Sequence, residues 1–302
     1  MSGSKTKSYK LIIPQSSLNW LGAAGRISIH KGAITFSNST TPMKTFPSLL
    51  IAAVCLGSAA SPQAGAVMIV APNSAAPAEG GSNNVFPFDI GEDIFEVPGQ
   101  TQRYQQVYNA TQFAILNLTG GLITEIRFRP DAGDGGAFSR TLPSIRIDLS
   151  TTSAAENTLS ATFASNVGAN NVSVFGGVTG GALALSSAFT GPAVGPKAFD
   201  IVITLTTPFF YNPAFGNLLM DVRNFGGGIT DNFDAVSASG DGVSRVTTMA
   251  SGVNSTTADL TDSLGLVTAF TVVPVPEPSI FVMLTFGAAA LLTRHRPSGA
   301  GV

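Results

Sequence analysis

Four segments of this chain alternate apolar and polar side chains with a period of two, which is the pattern of strands that bury one face. The alternation is clearest between Ile145 and Ser150, where isoleucine and leucine alternate with charged and polar residues. The other three segments are Thr124 to Phe128, Phe199 to Leu205 and Leu218 to Val222. Because a helix needs a period near 3.6, which is suggested only for one turn near Ala154 to Leu159, the chain is expected to be all-β.

Glycine-rich turns separate the predicted strands, since glycine readily supplies the positive φ that tight turns need. The turns are Asp131 to Gly136, Gly176-Gly177, Gly180-Gly181, Gly226 to Gly228 and Asp241-Gly242. Weaker strand candidates are Arg103 to Tyr108, Phe113 to Leu118, Asn171 to Phe175, Val243 to Thr248 and Leu266 to Val272. Many short strands without helices predict an antiparallel two-sheet β-sandwich, jelly-roll-like.

Residues 43–66 have the three parts of a secretory signal peptide. Lys44 supplies the positive charge, Leu49 to Ala60 the apolar core, and Ala64-Gly65-Ala66 a small-residue cleavage site, so a signal helix cleaved after Ala66 is predicted. Because such a signal stands at the N-terminus of a translated chain, we expect residues 1–42 to be an upstream misreading of the gene start. The alternative is a genuine cytosolic extension, with Leu49 to Ala60 as an uncleaved anchor.

The last thirty residues combine a rigid motif, an apolar run and a basic cluster. Proline at positions 276 and 278 fixes φ and disfavours helix at the preceding residue, so Pro276-Glu277-Pro278 is expected to be extended. Ile280 to Thr293 is uncharged and is predicted to be a transmembrane helix, although at about 1.5 Å per residue it needs its flanks to cross roughly 30 Å. Arg294 and Arg296 form a basic stop on the cytoplasmic side. The alternative is that Ile280 to Thr293 forms a helix in a protein core, because apolar runs of about 14 residues are often buried helices.

This order of motif, apolar run and basic cluster resembles the PEP-CTERM sorting signal of Gram-negative bacteria. The resemblance implies that exosortase, a membrane transpeptidase-like enzyme, reads Pro276, Glu277 and Pro278 and removes the apolar run and the basic tail. The body of the chain also resembles a recurring class of exported PEP-CTERM proteins, for which a β-sandwich without an assigned activity is implied. The features that carry this likeness are Gln106-Val-Tyr108, Ile126-Arg-Phe-Arg-Pro130, Leu142 to Thr152, Leu159 to Asn166 and Gly216 to Asn224.

These features divide the chain into five parts. They are the upstream extension 1–42, the signal peptide 43–66, a lead-in with the first strands 67–101, the β-sandwich domain 102–273 and the sorting signal 274–302. Within the lead-in, Ala71 to Asn84 is rich in small and polar residues and is expected to be flexible. The lone cysteine, Cys55, precedes the exported part, which therefore has no disulfide and depends on its apolar core for stability.

The charge of the exported part argues against nucleic-acid binding. Only 11% of the 302 residues are charged, and the whole chain has a formal net charge of −2. From Val67 to Val273, however, one lysine and seven arginines face seventeen acidic residues, so that segment carries a formal charge of 8 − 17 = −9. An acidic surface repels phosphate backbones, and we expect no nucleic-acid partner.

The two histidines exclude several kinds of catalytic site from the exported part, because His30 and His295 both lie outside it. Residues 67–273 therefore contain no Ser-His-Asp or Cys-His site and no histidine or cysteine zinc site. Paired carboxylates on the strands stay open as a glycosidase alternative, although their alternation with arginines indicates cross-strand ion pairs on an outer face. Those candidates are Glu125, Asp148, Asp200 and Asp221, and the expectation is that the protein is not an enzyme.

Calcium is the metal that the sequence favours, because hard cations bind oxygen ligands in flexible loops. Five aspartates lie in glycine-rich loops of that kind, and without a metal each would cap its own turn. They are Asp131, Asp134, Asp231, Asp234 and Asp241. No other cofactor is expected.

The predicted function is that of a non-enzymatic exported protein of the cell surface or extracellular matrix. Its predicted partners are an exosortase-type enzyme, the membrane through the C-terminal helix, and extracellular polysaccharide. It would be anchored in the inner membrane before processing and at the surface or outside the cell afterwards. The alternative is a carbohydrate-binding β-sandwich module associated with exopolysaccharide, for which exposed aromatics and amides would be needed. The phenylalanines around Phe209-Phe210-Tyr211, Phe225 and Phe233 are assigned to the core rather than to such a platform.

Overall fold

The computed structural model describes residues 65–90 and 100–275, together with the backbone of two strands near the N-terminus. The chain divides into two compact units, Met1–Ala59 and Ala60–Val302. In the first unit, β1 (Ile27–His30) pairs antiparallel with β2 (Ala33–Phe36). The predicted signal helix up to Ala64, the sorting motif, the transmembrane helix and the basic stop all lie outside the described residues.

The described part of the second unit is built from antiparallel strands and short 3₁₀ helices. The strands are β3 (Val67–Ala71), β4 (Ser82–Asn84), β5 (Gln102–Tyr108), β6 (Gly121–Phe128), β7 (Phe138–Thr152), β8 (Val172–Phe175), β9 (Gly181–Ser187), β10 (Ile201–Tyr211), β11 (Asn217–Asn224), β12 (Phe233–Ser237), β13 (Val243–Thr247), β14 (Leu260–Asp262), β15 (Leu264–Leu266) and β16 (Thr268–Pro274). The 3₁₀ helices are η1 (Asn73–Ala75), η2 (Ala110–Leu116), η3 (Phe163–Asn166) and η4 (Pro213–Phe215).

Three sheets organise these strands. A four-stranded sheet has the order β10-β6-β16-β3, and a seven-stranded sheet has the order β14-β13-β5-β11-β7-β8, with β9 also paired to β7. A small third sheet has the order β15-β12-β4. All the strand pairs are antiparallel, so the prediction of an all-β, antiparallel protein is confirmed.

One apolar cluster takes side chains from both large sheets. Ile126 and Phe270 contribute from the four-stranded sheet, and Ile147 and Met220 from the seven-stranded sheet, all fully buried. Phe270 also contacts aromatic rings outside its own sheet, since its centroid lies 5.0 Å from that of Tyr108 and 5.4 Å from that of Phe113. The buried faces are those that the period-two pattern predicts for β6, β7, β10 and β11.

The seven-stranded sheet is buried on its second face as well. There Val107, Leu219 and Val246 form a smaller apolar cluster with Leu159 and Phe163, which belong to the connection between β7 and β8. The strand acids on that face are therefore not solvated. The prediction of an outer face for Asp148 and Asp221 is wrong, because each residue is only 2% exposed under this covering layer.

The segment expected to be a flexible lead-in is part of the fold. Val67–Ala71 is an edge strand hydrogen-bonded to β16, and Ala71, Ala75 and Asn84 are buried. Further along, Phe88 is fully buried. The centroid of its ring lies 5.4 Å from that of Phe128 and 5.5 Å from that of Phe233. The small residues of this segment led to the prediction of flexibility, which is wrong. In the structure, small size allows the segment to pack closely against its neighbours, as Gly80 does against Ala235 of β12.

Two other local predictions are wrong. Phe113 to Leu118 is not a strand but largely the 3₁₀ helix η2, which Asn109 caps by accepting a hydrogen bond from the Thr111 amide. Ala154 to Leu159 contains a turn and no helix. In both places the chain crosses between strands, so tertiary connections override a weak local pattern. Residues 65–90 and 100–275 also contain no helix that is long and apolar enough to cross a membrane.

Candidate functional site

A fully buried arginine lies at the centre of the first candidate site. Arg129 directly follows β6 and is 1% exposed. Its Nε donates to Oδ2 of Asp234 at 2.7 Å, and its Nη2 donates to the carbonyl oxygens of Ala75 at 2.9 Å and Ala78 at 2.6 Å. The guanidinium carbon lies 4.9 Å from the centre of the Phe199 ring. Arg129 therefore ties the 75–78 loop to β12.

Three carboxylates surround this arginine. Oxygen atoms of Glu79, Asp131 and Asp234 all lie within 4.8 Å of one another. Asp234 Oδ1 accepts from the Gly80 amide at 2.9 Å, an approach so close that a Cβ at Gly80 would collide with the Ala235 backbone. Glu79 Oε1 accepts from the Ala132 amide at 3.2 Å, while its Oε2 is buried without a hydrogen-bond partner. We call these three acids and Arg129 the acidic cluster.

The charges of the acidic cluster do not cancel. One guanidinium faces three carboxylates, so the fully ionised group has a net charge of −2. Burial, the largest cause, and the charge of Glu79 together raise the pKa of Asp234 to about 7, against the lowering effect of Arg129. Asp234 is therefore partly protonated near neutral pH. A cation bound by the three carboxylates would displace this proton and compensate their charge.

The five aspartates predicted to bind calcium do not form one group. Asp131 and Asp234 meet in the acidic cluster. Asp134 and Asp231 lie in the same pair of loops but have other partners, since Asp134 Oδ2 accepts from Asn83 Nδ2 at 2.6 Å and Asp231 Oδ1 from the Asn232 amide at 2.8 Å. Asp241 lies in the turn between β12 and β13, where burial raises its pKa and its Oδ1 accepts from the Val243 amide. It is outside the cluster.

Sequence reasoning missed Glu79, the third acid of the cluster. The residue lies in the segment interpreted as flexible, and it is 155 positions away from Asp234 in the chain. Glu79 is brought close to Asp234 by the pairing of β12 with β4, in which Phe233 lies opposite Asn84 and Ala235 opposite Ser82. A lone acid in a low-charge, Pro/Ala-rich stretch was the only available signal.

The second candidate site is a row of arginines on the covered face of the seven-stranded sheet. Arg223 on β11 lies opposite Arg103 on β5 and opposite Arg146 on β7. Because residues directly opposite on one face have Cβ atoms about 5 Å apart, three like charges are placed side by side. We call these three residues the arginine row.

Two aspartates of the next row compensate part of this charge. Asp221 accepts from Arg103 Nε at 3.1 Å and Nη2 at 2.5 Å, and Asp148 accepts from Arg146 Nε at 2.8 Å. Arg223 has no such partner, since its Nε lies 3.9 Å from Asp221 and is buried without a hydrogen bond. Burial lowers the pKa of Arg223, although its side chain stays 28% exposed. The three arginines and two aspartates have a net charge of +1.

The carboxylates considered for catalysis are not arranged as a free pair. Asp148 and Asp221 do lie opposite each other, but both are occupied by the arginine row. Glu125 pairs with Arg127 within β6, and its pKa is lowered by the Thr271 hydroxyl and by Arg127. Asp200, which directly precedes the edge strand β10 of the other sheet, accepts from the Ala188 amide at 2.8 Å. The expected cross-strand pairing holds for Arg103 and Asp221, whereas the other two pairs lie within single strands.

Aromatic side chains do not form a sugar platform in the described part of the chain. Tyr104, Tyr108 and Tyr211 are fully buried, and burial raises the pKa of each hydroxyl. The exposed aromatics there are Phe210 and Phe215. Lys197 is only 8% exposed. Its Nζ donates to the Pro192 carbonyl and lies 4.4 Å from the centre of the Phe189 ring.

Comparison with known proteins adds no family: no family model, no curated protein and no solved structure matches this chain.

Proposed function

We propose that this chain is a non-enzymatic exported protein of the cell surface or extracellular matrix, sorted through Pro276-Glu277-Pro278. The observation that supports it is where the described strands of the second unit begin and end. β3 begins at Val67, directly after the small-residue site at Ala64 and Ala66, and it pairs with β16, whose last residue, Pro274, stands just before the motif. The two processing signals therefore flank the compact domain without removing any strand from it.

The register of β3 against β16 also supports this proposal. Val67 lies opposite Val272, so the chain enters and leaves side by side. In the proposal, Ile280 to Thr293 crosses the membrane as a helix and Arg294 and Arg296 stop translocation, while the exosortase-type enzyme reads the extended tripeptide. Neither cleavage disturbs the pairing of β3 with β16, because the mature chain would still contain both strands.

A two-sheet sandwich, jelly-roll-like, is the architecture that we propose for the exported domain. It is supported by the apolar cluster common to both large sheets, with Tyr108 and Phe270 in edge-to-face contact between them. Stacked sheets lie about 10 Å apart, and a core of this thickness is filled by one layer of side chains from each sheet. A crystal structure of the exported domain would check this arrangement.

The absence of catalysis is likewise a proposal. It is supported by the position of both histidines outside residues 67–273 and by the engagement of Glu125, Asp148 and Asp221 in ion pairs. A carboxylate held by an arginine is a poor general acid, because the cation keeps it ionised.

The test is the mass of the protein in the membrane and extracellular fractions of a host with the processing enzyme. Glu277→Ala is expected to block removal of the tail and to leave the protein in the membrane, whereas wild type is released. Asp134→Ala serves as a control, since it changes an exposed acid outside the motif. Equal loss of the tail from wild type and Glu277→Ala would show that the motif does not direct processing.

A carbohydrate-binding module is the second candidate, and the arginine row favours an acidic polysaccharide as its ligand. Arg223 is part-exposed and lacks a hydrogen-bonded counterion among the described residues. Carboxylate groups of a uronic-acid polymer would supply one by charge-assisted hydrogen bonds. Polygalacturonate titrated into the protein should bind at low salt, and Arg223→Gln should weaken binding more than Arg140→Gln, which alters an exposed arginine outside the row. Equal affinities for the two variants would contradict this candidate.

A further inference from the structure

One end of the four-stranded sheet holds Val275, the last residue that the structure describes. Gly121 lies opposite both Tyr211 and Pro274, and the Val275 amide donates to the Gly120 carbonyl at 3.1 Å. Gly120 has a φ of +71°, and a side chain there would meet Tyr211, so the turn is closely packed against β10. We call this region the exit end.

Large apolar side chains are exposed around the exit end. Leu118 is 79% exposed and Phe215 is 77% exposed, in the loops that follow η2 and β10. The two loops are joined by a 2.7 Å hydrogen bond from Asn212 to the Leu118 carbonyl. On the sheet itself, Leu122 lies opposite Phe210, and both are exposed. Isolated exposed apolar residues are common, but adjacent ones at one end of a domain indicate an interaction surface.

The segments that form the exit end contain no charged residue. The uncharged stretches are 104–124, 201–220 and 263–276. This contrasts with the rest of an exported part that carries a formal charge of −9. Between η2 and η4 lies an open groove of about 590 Å³ whose lining carries no charge. It is formed by small and apolar residues together with the polar Thr111 and Asn117. Such a surface can lose water without leaving an unpaired charge.

The sequence beyond Val275 indicates what lies next to this surface. Ile280, the first residue of the apolar run, is five positions beyond Val275. An extended chain spans at most about 3.6 Å per residue, so the run starts within about 18 Å of the exit end. If that run is in a bilayer, the exit end cannot be far from the lipid surface.

We propose that the exit end rests on the lipid surface, with Leu118, Leu122, Phe210 and Phe215 at the headgroup boundary, while the C-terminal tail is still attached. The inference rests on the proposed membrane tether and adds an orientation to it. Phenylalanine and leucine gain free energy by leaving water at that boundary, and an uncharged end spares the acidic domain a repulsive contact with anionic lipids. The sorting motif is then held within a few residues of the bilayer.

The test uses the full chain in vesicles of phosphatidylcholine that contain bromine-labelled lipid. In a Cys55→Ser background, single cysteines replace Leu118, Phe215 or Val178 and carry a polarity-sensitive fluorophore. Val178 is the matched control, because it is 78% exposed in the turn between β8 and β9. That turn is at the far end of β11 from Phe215, about 24 Å away at 3.4 Å per residue. A Leu284→Cys probe in the apolar run reports the tether.

We expect blue-shifted and lipid-quenched emission from the probes at 118, 215 and 284, and unshifted, unquenched emission from the probe at 178. If the probe at 284 is quenched but those at 118 and 215 behave like the one at 178, the exit end does not touch lipid, and the tether stands without the inference. If the probe at 284 is not quenched, the tether is wrong and the inference falls with it. A blue shift at 118 that needs no vesicles and grows with protein concentration would instead assign the surface to a second copy of the chain.

Discussion

Burial decides how much each ion pair of this domain contributes to stability. The Asp221 side chain is 3% exposed and Arg103 is 11% exposed, with the Phe163 ring 4.5 Å from the guanidinium. Glu125 and Arg127 are 23% and 30% exposed. An exposed pair is screened by water and is worth about 0–1 kcal/mol, whereas removal of one partner from a buried pair leaves an uncompensated charge.

Asp221→Asn is therefore expected to lower the free energy of unfolding by about 3 kcal/mol, because the Arg103 charge stays buried without its carboxylate. Glu125→Gln, the control, should cost under about 1 kcal/mol. Urea unfolding of the two variants measures both values. Equal losses would mean that the arginine row is more hydrated than its burial implies.

The acidic cluster predicts an unusual pH dependence. Asp234 has its pKa raised from 3.8 to about 7, so between these values the folded state binds more protons than the unfolded state, and the free energy of unfolding falls as pH rises. Glu79→Gln removes one of the charges that raise this pKa. The variant should be more stable than wild type at pH 8 by about 1 kcal/mol, with the gain shrinking toward pH 5. Thermal unfolding across this range checks it.

Glu125→Gln is the opposite control for that experiment. The pKa of Glu125 is lowered in the fold, so its contribution is present above its unfolded pKa and is lost as pH falls through the folded value. Loss of this carboxylate should destabilise the protein slightly at pH 8. A Glu79→Gln variant that is less stable than wild type at pH 8 in chelator would contradict the repulsion inferred for the cluster.

Calcium binding remains a prediction, and the acidic cluster is where it would act. A cation that binds only the folded state raises the melting temperature by mass action. Millimolar calcium added to chelator-treated wild type should therefore raise the melting temperature, and Glu79→Gln should reduce the shift. Asp241→Asn, outside the cluster, should retain it. No shift in wild type would remove the calcium hypothesis.

At the scale of elements, the short strand β3 contributes more to the packing of the domain than its length suggests. It is only five residues long, but it forms the edge of the four-stranded sheet and inserts Ile69, 5% exposed, into the main apolar cluster. The next residue back, Met68, points to the other face and is 57% exposed. The first strand after the predicted signal peptide is thus a packed element of the domain.

Ile69→Ala should lower the free energy of unfolding by about 2–5 kcal/mol, through lost burial and the cavity left behind. Met68→Ala should change it by less than about 0.5 kcal/mol, because an exposed side chain has little contact to lose. Chemical denaturation of both variants decides between a packed strand and a lead-in. Similar small effects for the two would favour the flexible interpretation.

At the scale of the whole molecule, the domain is closed by the pairing of β3 with β16, the first and last described strands of the second unit. β3 and β16 join residues about 200 positions apart, so the described domain closes only when its C-terminal strand is present. The proposed processing signals precede β3 and follow β16 in the sequence.

The mature N-terminus should accordingly be Val67, since cleavage after Ala66 leaves β3 complete. N-terminal sequencing of the exported protein checks this. An N-terminus near Ser2 on the exported form would contradict both the signal peptide and the interpretation of residues 1–42, whereas one several residues beyond Val67 would mean that the mature domain lacks its edge strand.

Local patterns determined the strands of this protein, because alternation with a period of two is a property of neighbouring residues. Thr124 to Phe128 and Ile145 to Ser150 are strands for that reason. The turns at Gly176, Gly180 and Gly227 follow from the positive φ that glycine adopts there. The same local reasoning failed at Phe113 to Leu118, where an apolar stretch packs as a 3₁₀ helix against Tyr211 and Phe270.

Only the tertiary structure decided which charges are buried and which groups meet. Arg129 is two positions from the part-exposed Arg127, yet the 75–78 segment covers it and Asp234, 105 positions along the chain, accepts its hydrogen bond. The arginine row likewise exists only in the register of β5, β11 and β7. Sequence alternation tells which side of a strand a residue faces, but the layer that packs on that side, and so the local dielectric and the ionic partners, come from contacts between residues far apart in the chain.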